Sequence, residues 1–293
     1  MLKYEQIGSA PNREYKDRVF KLIFGNEERK DLTLSLYNAV NGSNYTNPED
    51  VILNTIEDAI FMNLKNDVSF IIANTMNIYE HQSTFNPNMP LRCLAYAGAL
   101  YRKYVADKAN RVNVYSKVIQ KIPAPKLICF YNGTDCKEDK VELSLKDAFY
   151  DGEESDIDVR VTMLNINYGQ NEKLLKSCRP LWDYAVFVEE VRKENENSRD
   201  ISKAIKKAID NMPDDSVIKK ILTENEEEVL MDFLTEYDAE WTYELFREEG
   251  LEEGRAEGRA EGRKEGRAEI ITQLISEGII TEERAAELRK GEQ

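Results

Sequence analysis

The sequence predicts an α/β fold with a mixed sheet, and three observations carry that expectation. Apolar residues recur at helical spacing in residues 14–24, 27–40 and 91–108, while the segments between them alternate or run apolar at strand length. The resulting order is helix, strand, strand, strand, helix, strand (αβββαβ), and a helical crossover between strands of one sheet opens a cleft at one end of it. Beyond residue 172 nearly every segment reads as helix, so an all-helical C-terminal region follows the sheet.

The first helix, 14–24, gathers Val19, Phe20, Leu22, Ile23 and Phe24 and closes at Gly25; the second, 27–40, carries Leu32, Leu34, Leu36 and Ala39 and stops at Asn41-Gly42. Residues 51–62 are extended in character, and 67–72 and 76–82 read as two strands joined through Ala73-Asn74-Thr75. Pro87 and Pro90 precede the long helix 91–108, and Pro123 and Pro125 release the apolar run 126–131 as a buried strand. Residues 135–158 read as an acidic loop with a short helix, and 159–167 as one more strand. Helices are expected over 172–194, 200–211, 215–222 and 224–248. The division this suggests is a sheet domain over 1–170, a helical domain over 171–249, and a repeat tail over 250–293.

A chain of 293 residues has room for one or two domains, and 41% hydrophobic residues suffice for a packed core. His81 is the only histidine, which excludes two-histidine zinc sites, the HExxH metalloprotease motif and a Ser-His-Asp hydrolase with a histidine to spare. The four cysteines, Cys93, Cys129, Cys136 and Cys178, form no CxxC pair and read as reduced thiols of a cytoplasmic protein. No apolar run reaches the roughly 18 residues needed to span a bilayer, so no membrane partner is expected.

The net charge of −15 is unevenly placed. Residues 1–150 hold 19 basic and 18 acidic residues, whereas 151–293 hold 21 and 37. Within 88–130, eight cations (Arg92, Arg102, Lys103, Lys108, Arg111, Lys117, Lys121 and Lys126) face one acid, Asp107. Such a run attracts phosphate even on an acidic protein, although a merely solvated basic face is as common.

Strand alternation in Met76–Gln82 puts Glu80 and Gln82 on one face and Tyr79 and His81 on the other. Asp67 opens the preceding strand, and a tight hairpin brings it beside Glu80. Two carboxylates this close call for a cation, and magnesium prefers oxygen donors, so Asp67, Glu80 and the backbone carbonyl of His81 make a candidate Mg²⁺ site. On spacing alone, solvated charges at strand ends are the commoner outcome.

Three stretches then carry a resemblance: Lys16–Gly25, Asn66-Asp67-Val68-Ser69-Phe70, and Glu80-His81-Gln82-Ser83 with Pro87 and Met89 following. Together they resemble the Rpn family of recombination-promoting nucleases, transposase-like members of the PD-(D/E)xK nuclease superfamily, over about residues 14–250. The resemblance implies a restriction-endonuclease-like core and Mg²⁺-dependent cleavage of DNA. Asp67 matches the motif Asp and Glu80 its second acid, while Gln82 stands where many members have lysine and Asn66 where the motif has proline. Gln82 orients a water by hydrogen bonds but supplies no charge. Asp17 matches an auxiliary acidic position; a surface acid favoured by the helix dipole is an equally good reading of it. In this fold the helix after the Glu80 strand borders the cleft, where Arg92, Arg102 and Lys103 would meet the DNA backbone with low sequence specificity. The loss of the lysine and the acidic C-terminal half point instead to a catalytically idle, oligomeric DNA-binding or regulatory protein that keeps the fold.

Residues 250–269 repeat every four residues, with Gly250, Gly254, Gly258, Gly262 and Gly266 interleaved with arginines and glutamates. Each glycine costs a lone helix about 1 kcal/mol, and like charges at i,i+4 weaken it further. Close pairing of two copies relieves both, so a homo-oligomer, most simply a dimer, is expected, with a flexible charged tail as the other reading. Residues 270–290 are expected to form a helical hairpin.

Overall fold

The computed structural model describes residues 18–55, 66–150 and 153–234, and beyond them Arg255, Gly266, Ile270, Ile271 and Leu274. Helix α1 (Arg18–Phe24) buries Val19, Phe20, Ile23 and Phe24, a single face at helical spacing. Its first two amides donate to a distant carboxylate: Arg18 N to Asp232 Oδ1 at 3.0 Å and Val19 N to Asp232 Oδ2 at 3.2 Å. Helix α2 (Lys30–Asn41) ends where Gly42 adopts a left-handed φ of 62° and its amide bonds to Asn38 O, as the Asn-Gly signal predicts.

Three strands follow: β1 (Ile52–Leu53), β2 (Val68–Ile72) and β3 (Thr75–Gln82). Of the strand expected over 51–62, only β1 is seen, and residues 56–65 lie outside the described residues. Ala73-Asn74 make a two-residue turn between β2 and β3, with Ala73 at a φ of 51°. Helix α3 (Met89–Ala106) then crosses over to β4 (Ala124–Tyr131). Strands β5 (Lys140–Ser144) and β6 (Arg160–Asn165) complete a six-stranded sheet in the order β1-β2-β3-β4-β6-β5. The pairs β3/β4 and β4/β6 are parallel, and the remaining pairs antiparallel. The sheet is therefore mixed, as expected of a crossover fold.

Strand β5 corrects the expectation of an acidic loop over 135–158. Lys140-Val141-Glu142-Leu143-Ser144 alternates polar and apolar, and Val141 and Leu143 pack with Met163 and Val161. An edge strand needs one apolar face only, so β5 shows just two apolar residues, Val141 and Leu143, too few to mark a period of two among the acids that flank it.

Helices cover both faces of the sheet. Val68, Phe70, Ile72, Tyr79 and Phe130 pack with α1 and α2 on one face. Met76, Ile78, Cys129, Tyr131 and Met163 pack against α3 residues Met89, Cys93, Tyr96 and Leu100 on the other. Helices α4 (Glu172–Ser177), α5 (Arg179–Ser198), α6 (Ile201–Asn211), α7 (Lys219–Glu224) and α8 (residues 226–234) join the first cluster, which runs unbroken from Val19 to Phe233. The apolar core thus continues across position 170, where a division was expected.

The chain separates into two units, residues 1–237 and 238–293. In the second, the five described residues are all helical. The remainder of the four-residue repeat and most of the terminal hairpin lie outside the described residues. No described helix is long and apolar enough to cross a membrane.

Candidate active site

The β2/β3 register places Val68 opposite Tyr79, so the next position sets Asp67 against Glu80 on the α3 face of the sheet. There each carboxylate accepts from a backbone amide of the opposite segment. Asp67 N donates to Glu80 Oε1 at 3.2 Å, and His81 N donates to Asp67 Oδ2 at 2.7 Å. Asp67 is half-buried and Glu80 fully buried.

A buried carboxylate requires a charged or hydrogen-bonded partner, and Glu80 finds one in the first turn of α3. Arg92 Nη2 lies 3.2 Å from Glu80 Oε2, and its Nε and Nη2 donate to Tyr96 Oη at 3.3 and 3.1 Å. Arg92 and Tyr96 are four residues apart, hence on one face of α3. Burial lowers the Arg92 pKa, but Tyr96 and Glu80 outweigh it and hold the group above its usual value. Burial, with the Glu80 charge second, pushes the Cys93 thiol and the Tyr96 phenol up. The cluster is thus one buried anion, one half-buried anion and one guanidinium. Arg92, read from the sequence as a DNA-backbone contact, is turned inward, whereas Arg102 and Lys103 are exposed on the last two turns of α3.

The His81 ring leaves on the opposite face, as alternation predicts. It stacks on Phe20 with centroids 5.1 Å apart, and its Nε2 lies 3.0 Å from Tyr184 Oη. Tyr184 in turn accepts from Asn132 Nδ2 at 3.5 Å. Arg192 bonds to Asn132 O and, at 2.9 Å, to Asn167 Oδ1. Helix α5 therefore braces the C-terminal ends of β3 and β4 from behind. No local pattern announces Tyr184 or Arg192, because their partners lie 103 and 60 residues away.

Gln82 shares the Glu80 face at the strand's end. Its carbonyl accepts from Asn132 N at 3.0 Å, which presses the loops after β3 and β4 together. A Cβ at Gly133 would stand 1.8 Å from Ser83 O, so this position admits glycine alone. Gly133 is a further site residue that spacing arguments passed over, although an Asn-Gly pair ending a buried strand is its visible signal.

Asp67, Glu80 and the adjoining backbone supply oxygen donors, and that chemistry suits a hard cation such as Mg²⁺. Among the described residues no group of three or more His, Cys, Asp or Glu gathers around one point. Asp17, the auxiliary acid, lies outside the described residues, immediately before the amides that Asp232 holds. No family model, curated protein or solved structure matches the chain.

Proposed function

We propose that the chain is a Mg²⁺-dependent DNA endonuclease of low sequence specificity, with the restriction-endonuclease-like core of the Rpn family, acting in recombination, mobile-element biology or defence against foreign DNA. The observation that carries this reading is the juxtaposition of Asp67 and Glu80 across β2 and β3. They sit on the face covered by α3, whose outer end bears Arg102 and Lys103. Asp67 and Glu80, with the His81 carbonyl, would hold the cation. A cation so held polarises a phosphodiester and lowers the pKa of a water.

The chain's own residues do the rest. The His81 amide fixes the Asp67 carboxylate, and the Asp67 amide fixes Glu80, so both donors are oriented before a ligand arrives. Gln82 orients water by hydrogen bonds, Arg92 supplies the positive charge that Gln82 lacks, and Arg102 and Lys103 hold the backbone. A homodimer through the repeat tail would present two such sites to the two strands.

One observation favours the second reading, an idle DNA-binding or regulatory protein. Arg92 already neutralises Glu80, as a resident cation would. Calorimetric titration of the full chain with MgCl₂ separates the two. Binding that Asp67→Asn abolishes supports the nuclease, and no binding at millimolar Mg²⁺ overturns it.

A further inference from the structure

Between Asp107 and Asp135 the chain carries five cations and no acid. Among the described residues none of the five forms an ion pair. The loop that follows α3 also displays its large apolar side chains outward: Tyr115 is 93% exposed, Ile119 84% and Val118 71%. Exposure here is built in. Asn110 Nδ2 donates to Tyr104 O at 2.8 Å and Tyr101 Oη to Pro123 O at 2.6 Å, which ties both ends of the loop to α3. Arg111 turns the chain at a left-handed φ of 55°. The tip is closed on itself: Asn113 N donates to Gln120 Oε1, Tyr115 N to Asn113 Oδ1, Val118 N to Ser116 Oγ and Gln120 Nε2 to Val118 O, all within 3.2 Å. A tip held by its own hydrogen bonds presents Tyr115, Val118 and Ile119 at little ordering cost to a partner.

We propose that residues 111–122 form a DNA-binding finger, in which Arg111, Lys117 and Lys121 hold phosphates while Tyr115 and Ile119 enter the minor groove of a duplex. This rests on the DNA reading above and adds an element to it. The charge chooses the partner, since an acid-free basic stretch with apolar residues between its cations matches a polyanion that also offers an apolar interior. Apolar wedges between base steps are a known way of gripping the minor groove. Position agrees as well. The finger lies at the far end of α3 from Arg92, and the 14 residues from Arg92 to Ala106 span about 21 Å, or about six base pairs. The finger therefore lengthens the footprint to one side of Asp67 and Glu80.

The test uses the full chain, a 30-base-pair duplex carrying 2-aminopurine, and EDTA to prevent cleavage. The triple variant Tyr115→Ser/Val118→Ser/Ile119→Ser is expected to bind about tenfold or more weakly, to keep the salt dependence, and to lose the fluorescence rise from unstacking. Lys117→Ala/Lys121→Ala is expected to make the salt slope shallower by about two. Tyr115→Ser alone, at a fully exposed position, guards against misfolding and is expected to weaken binding in the same direction. Wild-type binding that the triple variant leaves unchanged overturns the finger and leaves the nuclease reading intact. Absence of DNA binding by the wild type overturns both. Binding to anionic phosphatidylserine vesicles that the triple variant abolishes, with DNA binding unaffected, overturns the finger in favour of a membrane surface.

Discussion

Arg92 Nη2 stands 3.2 Å from Oε2 of Glu80, and the pair is unequal: the arginine side chain is 36% exposed and the glutamate not at all. The arginine reaches solvent, so it can be exchanged; the glutamate cannot leave. This inequality suits a site in which a mobile cation, metal or guanidinium, serves a fixed anion.

Removing Arg92 takes its ion pair from a buried Glu80. Arg92→Ala is expected to cost about 2–3 kcal/mol of stability in EDTA, less than a fully buried pair because Arg92 is partly solvated. Saturating Mg²⁺ should return part of that loss and bind more tightly than to the wild type. Urea unfolding with and without Mg²⁺ measures both; equal losses under the two conditions would deny that metal and guanidinium share Glu80.

The close approach of the loops after β3 and β4 makes Gly133→Ala severe. A methyl group 1.8 Å from Ser83 O forces backbone movement, for which about 2 kcal/mol or more is expected. The displaced segment follows Gln82 directly, so loss of Mg²⁺ binding should accompany the lowered unfolding midpoint.

Asp232 holds the start of α1 through two amides from 213 and 214 residues away. Replacing it with Ala leaves those amides without this acceptor and is expected to cost about 1 kcal/mol; Asn, which retains one acceptor oxygen, should cost less. Because α1 carries Phe20, on which the His81 ring stacks, the loss should be read at the site as well as in denaturant.

Cys93 and Cys178 are buried, and burial raises both thiols. A thiol pushed up in the folded state ionises first in the unfolded chain, near pH 8.5. Stability from this source is complete below that pH and is lost as pH rises through the folded values; Tyr96, also raised, extends the loss above pH 10. Unfolding midpoints should decline above about pH 8.5. At pH 8, iodoacetamide should modify Cys93 and Cys178 only in urea.

The strands that build the site are legible in the sequence because their chemistry is local. Alternation in Met76–Gln82 and a two-residue turn suffice to bring Glu80 to Asp67 and to send the His81 ring the other way. What stays hidden is held by distant partners. Arg92 reads as a surface cation until α3 is laid over Glu80. Tyr184 reads as an ordinary apolar-face residue until α5 meets β3, and β5 reads as loop because its exposed face is charged. The continuity of the core past residue 170 is of the same kind: helical pattern reveals each helix, but not that α4 to α8 join α1 and α2 over one side of one sheet.

The most direct measurement is nicking of supercoiled plasmid by the full chain. The account predicts open-circular product with MgCl₂, none with EDTA, and none with Mg²⁺ from Asp67→Asn or Glu80→Gln variants whose circular dichroism matches the wild type. No nicking by the wild type, or equal nicking by Asp67→Asn, would contradict it.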